Sequence, residues 1–178
     1  MNQADKQWID EYENIAKNPD KWLDKASSLI YAADKLLIKD NDGPPLPHRL
    51  GIYMMLSSFA IENMIKCIII KKDPTRVNNG ILVNSILRHD LPKLFQDAGI
   101  NCKPSEEELL NRFSRFAIIW GRYPVFKSWE QYKRAVYDEG TKKRRRVFTQ
   151  QDLNTIKDII ANLQDELKKL GIKYEIDV

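Results

Sequence analysis

Apolar residues recur along this chain at the three-and-four spacing of helix faces rather than the alternation of strands. Trp8, Ile9, Tyr12 and Ile15 lie on one side of a helix expected over residues 5–17. Asn18-Pro19 ends that segment and starts the next, with Asn18 as N-cap and Pro19 as the first helical residue. A continuous stripe then runs through Trp22, Leu23, Ala26, Leu29, Ile30, Ala33, Leu36 and Leu37, which predicts helix over residues 19–39. The Asp-Asn-Asp-Gly-Pro-Pro run at 40–45 breaks it.

Residues 49–71 are apolar on most sides, as befits a helix in the middle of a bundle. Glu62, Asn63 and Lys66 interrupt the run, and their cost in lipid argues for a core helix over a membrane span. Asp73-Pro74 closes it. A connector over 75–88 has room for a short helix at 81–87. A further helix is expected at 91–98, with Asp90 as cap, Pro92 in its first turn and Gly99 just past its end. Ser105 and Glu108 have the spacing of a capping box and open a helix over 105–120, which Gly121 and Tyr123-Pro124 stop. An irregular stretch follows over 125–148. Thr149 and Asp152 then cap a last helix over 149–170, and the tail 172–178 reads as extended.

These elements define an all-α fold, an up-and-down helical bundle with short accessory helices, in one domain spanning residues 1–178. A length of 178 residues, 43% of them hydrophobic and 30% charged, is enough to build a core without staples. The two cysteines, Cys67 and Cys102, provide neither a disulfide framework nor a zinc site and suit a reducing cytoplasm. The acidic, amphipathic N-terminal segment is not a signal peptide. Two histidines cannot build a histidine-rich metal centre, and no glycine-rich phosphate loop is present, so neither metal nor cofactor is implied.

Three features can carry chemistry. His89, between Arg88 and Asp90, is an acid or base candidate near neutral pH, and Arg122 in Gly-Arg-Tyr-Pro can fork onto a phosphate. Both also fit plain roles at helix ends. The run Lys142, Lys143, Arg144, Arg145, Arg146 makes residues 125–148 strongly basic, with eight Lys and Arg against three acidic residues. Such a run neutralises nucleic-acid phosphates, or is simply a solvated loop. Trp129, Tyr132, Tyr137 and Phe148 lie nearby and can stack bases or pin the loop. Third, Glu62 and Lys66 sit one turn apart in the most apolar helix and can pair locally; Arg122 is the preferred partner from elsewhere. The expectation is that His89 and Arg122 converge on one cleft near Glu62.

The tryptophan-bearing second helix, the apolar third helix with Ser58, Glu62 and Lys66, the His89-Asp90-Leu91-x-x-Leu94 segment and the later Trp120-Gly121-Arg122-Tyr123-Pro124 together resemble the HEPN superfamily. Its members are helical domains named for higher eukaryotes and prokaryotes nucleotide binding. The resemblance covers residues 19–170. It implies a helical bundle, often dimeric, in a superfamily with many metal-independent ribonucleases and members of toxin–antitoxin and phage-defence systems. The usual catalytic signature there is an Arg followed four to six residues later by His. Here Arg88 directly precedes His89, Arg76 is too distant, and no histidine follows, which argues against the usual ribonuclease activity.

The resulting expectation is a cytoplasmic, homodimeric HEPN-like binding module, not bound to membrane. It would engage RNA, a nucleotide or a cognate protein partner in bacterial stress or phage defence. One alternative is a metal-independent ribonuclease or other phosphoryl-transfer enzyme using His89 with Arg88 and Arg122. Another is a purely structural interaction domain.

Overall fold

The computed structural model describes residues 3–38, 46–115, 128–130, 133, 137–138, 143–144 and 148–173. Their helices are α1 (Gln3–Ala16), α2 (Pro19–Lys35), α3 (Leu46–Lys72), α4 (Asn84–Leu87), α5 (Leu91–Ala98), α6 (Pro104–Arg115) and α7 (Gln150–Lys169). The all-α reading therefore holds. Two minimal antiparallel pairs accompany the helices. Strand β1 (Val77–Asn78) pairs with β2 (Ile81–Leu82), and β3 (Tyr137–Asp138) pairs with β4 (Lys143–Arg144).

The centre of the bundle is α3. It lies along α2 and also packs against α5, α6 and α7. Met54, Ile61, Met64, Ile65, Ile68 and Ile70 are fully buried on several of its sides, which is why its sequence shows no single apolar stripe. Of the described helices, α3 is the one long and apolar enough to cross a membrane, and most of that stretch is buried inside the fold. Leu23, Ala26, Ile30 and Ala33 of α2 and Ile156, Ile159, Ile160 and Leu163 of α7 close over it.

Local chemistry sets the ends. Asn18 accepts a hydrogen bond from the Asp20 N–H at 2.9 Å, and Pro19 occupies the first turn of α2. That helix stops at Lys35, sooner than its apolar stripe predicts, because the chain tightens into a turn in which the Leu36 N–H meets the Ala33 carbonyl at 2.9 Å. The α5 bounds match the sequence reading: Asp90 accepts from the Lys93 N–H, and Gly99 takes the left-handed conformation at φ 67°.

Two expectations are corrected. The capping box at α6 is not Ser105 with Glu108. Pro104 takes the first helical position instead, and the Glu106 carboxylate accepts the Lys103 N–H at 2.9 Å. The connector over 75–88 starts with a 3-10 turn (Pro74–Arg76) and a hairpin, so its helix begins only at Asn84. Asn79 and Gly80 form the hairpin turn at positive φ, 51° and 71°. The apolar face that the spacing marks on α1 is only partly covered. It rests on the bundle through Ile9 and Ala16, while Trp8, Tyr12 and Ile15 stay exposed.

Candidate functional site

Glu62 and Lys66 stand one turn apart on the inner side of α3, and Ser58 lies a turn earlier. All three are buried. The Ser58 hydroxyl is spent on the Met55 carbonyl at 2.7 Å. Lys66 Nζ donates to Glu62 Oε1 at 2.7 Å, so the carboxylate meets its counter-charge within its own helix. This is the local pairing that the spacing predicts.

A third group joins them. His89 Nδ1 lies 3.0 Å from both Glu62 Oε1 and Oε2. An ionised carboxylate only accepts hydrogen bonds, so the contact needs a proton on Nδ1. In a neutral imidazole that leaves Nε2 as the basic nitrogen. The Glu62 side chain is 9% exposed and the His89 side chain 41%, so the pair grades from a buried anchor to a ring open to water. Because Lys66 already offsets the Glu62 charge, His89 is not required as a counter-ion.

The position of His89 is fixed by how α5 is held. Asp90 caps the helix, and the Leu91 N–H donates to Ser114 Oγ of α6 at 2.9 Å. At the other end Lys72 Nζ of α3 donates to the Ala98 carbonyl at 2.7 Å. The α5 helix is thus tied to α3 and α6, and the residue before its cap meets Glu62. Helix capping, the plainer role considered for this pair, falls to Asp90 alone. Arg88 pairs with Asp97 of α5 at 3.3 Å, a partner that the sequence reading missed.

Arg122 lies outside the described residues, as do Lys142, Arg145 and Arg146. Of the basic run, Lys143 and Arg144 form β4, so the segment expected to be irregular contains a paired strand; Tyr137 is opposite Arg144 and Asp138 opposite Lys143. Near the start of the segment, Trp129 is 70% exposed and does not pin it to the core. Phe148, at its end, packs on the core: its ring meets Phe113 of α6 with centroids 5.7 Å apart, and the Arg112 guanidinium lies over the Phe148 ring, 5.8 Å from its centroid. Phe148 and the N-terminal end of α5 thus meet consecutive α6 residues, Phe113 and Ser114.

Arg112 also grips Asp152 of α7, with Nη1 3.0 Å from Oδ2 and Nη2 bonded to Oδ1. Burial pushes the Asp152 carboxyl up, but the Arg112 hydrogen bonds and charge, with the Thr149 N–H, outweigh this and hold it below the usual range. The sequence marks Asp152 only as part of a helix cap. Nothing in the spacing signals a partner forty residues away. No family model, curated protein or solved structure matches the chain.

Proposed function

We propose that this chain is a HEPN-like binding module for single-stranded RNA or a nucleotide, engaged by the basic segment over 125–148 with the His89 corner at the edge of the contact. The observation that carries the reading is that Phe148, the last residue of that segment, and Leu91, two residues after His89, both contact α6, at Phe113 and Ser114. Exposed Trp129 adds a stacking surface in a stretch whose charge suits phosphates. The homodimer, a cognate protein partner, and the cytoplasmic stress or phage-defence setting belong to the same proposal and rest on the family resemblance.

Fluorescence anisotropy with a labelled oligouridine tests it. Affinity falls steeply as salt rises, and R144A/R145A/R146A weakens binding. W129A weakens it by about tenfold, the scale of one lost base stack. Binding indifferent to salt and to the triple variant would refute the reading.

A second reading is favoured by one contact. Glu62 holds His89 by Nδ1 and leaves Nε2 outside that contact, the arrangement of a carboxylate-oriented acid or base. It supports a metal-independent ribonuclease or other phosphoryl-transfer enzyme, in which His89 moves the proton and Arg88 with Arg122 steadies phosphate charge. Its test is cleavage of labelled RNA. Turnover that survives H89A rules it out, whatever the binding data show.

A further inference from the structure

Trp8, Tyr12 and Ile15 are spaced i, i+4 and i+7 on α1, the spacing of a helix-to-helix seam. Their residues are 69%, 40% and 52% exposed. None of them belongs to the core or to the apolar side chains packed against it. Polar and apolar contacts to the body come from the adjacent side of the helix: Ile9 lies against the Gly80 turn, the Gly80 N–H donates to Glu13 at 3.0 Å, and the Ala16 carbonyl accepts a hydrogen bond from Trp22 Nε1 at 2.9 Å. The exposed trio leaves on the order of 300 Å² of side chain in water, comparable with the largest apolar patch on an ordinary monomer. Aromatic side chains concentrated in this way are typical anchors of protein interfaces.

Charge narrows the choice of partner. Over residues 3–16, four acidic residues face one lysine, a net charge of −3 in a chain whose total is +4. Glu11 flanks the apolar seam. An α1-to-α1 contact between two copies would bring like charges together along the seam. An anionic lipid surface and nucleic acid are repelled for the same reason. The complementary partner has apolar residues at helical spacing, flanked by Lys and Arg.

We infer that the outer face of α1 is a docking surface for a basic amphipathic helix of another protein, which covers Trp8, Tyr12 and Ile15 and faces Glu11 with its cationic flank. This inference does not depend on the proposed RNA contact.

The test uses two synthetic helical peptides with identical leucine spacing, one with lysine and one with glutamate at the remaining positions, titrated calorimetrically into the full chain. The lysine peptide binds, the glutamate peptide does not, and W8S/Y12S/I15S lowers the lysine peptide's affinity at least tenfold. Circular dichroism of that variant matches the wild type, because the three side chains are not packed in the core; should it not match, W8S alone takes its place, with loss of lysine-peptide binding as the expected result. Equal binding to wild type and variant means charge attraction elsewhere and overturns the inference. So does binding of both peptides, or sedimentation showing a wild-type dimer that the triple variant converts to monomer. Uptake of the wild type, but not the variant, by phosphatidylglycerol vesicles likewise overturns it.

Discussion

A carboxylate removed from water is costly unless its charge is answered in the same volume, and Glu62 is answered by Lys66 at 2.7 Å. Removing one member strands the other. E62A is expected to lower unfolding free energy by about 3 kcal/mol, whereas E62L/K66L, which strands neither charge, costs much less. Urea denaturation of the three proteins decides this; equal losses in both variants would mean that the pair itself supplies the stability. H89A removes one hydrogen bond from a side chain 41% exposed to solvent and should cost less than about 1 kcal/mol. A loss as large as that of E62A would make His89 a structural strut instead of a group presented to a ligand. At this scale, the sequence makes the Glu62–Lys66 pair readable because i to i+4 is a local relation. The approach of His89 to Glu62 was readable only as convergence near one helix, since the contact depends on how α5 is tethered. The Arg122 half of that expectation lies outside the described residues.

Elements are legible where a few adjacent residues decide them and less so where a distant surface does. Asp90, Pro92 and Gly99 fix α5 without help from the rest of the chain. At α6 two local solutions compete, and Pro104 in the first turn with Glu106 reaching back displaces the Ser105 option. For α1 the period marks the face but not its cover, because periodicity reveals a face and not whether anything lies on it. The α6–α7 contact through Arg112 and Asp152 is least legible of all, and it has a pH signature. The Asp152 carboxyl is held below its ordinary value in the folded chain. Its stabilising effect is therefore complete above the unfolded value, about 3.9, and disappears as pH falls through the lowered folded value. D152N should be about 2 kcal/mol less stable than wild type at pH 7, with the gap closing below about pH 4. Denaturant melts of both proteins from pH 7 down to pH 3 check this. A gap independent of pH would mean that Asp152 acts by shape and packing rather than by charge.

At the scale of the whole molecule, α3 is surrounded, and Cys67 near its C-terminal end reports on how completely. The residue is fully buried, and desolvation, with Asp20 nearby, pushes its thiol up to about 12. Disulfide exchange needs both access and the thiolate, and the fold denies both. Cys102 is only half-buried, although burial and the Glu106 and Glu107 charges push its thiol up to about 11, so it must be removed for a clean readout. In C102S at pH 8, Cys67 is expected to be inert toward an aromatic disulfide reagent under native conditions. Its labelling rate should rise with urea in step with loss of the helical circular dichroism signal, since α2, α5, α6 and α7 all pack on α3 and exposing Cys67 requires the bundle to open. Rapid labelling while the helical signal is intact would show that α2 or another covering helix detaches by itself, and that the chain unfolds in parts rather than around one core.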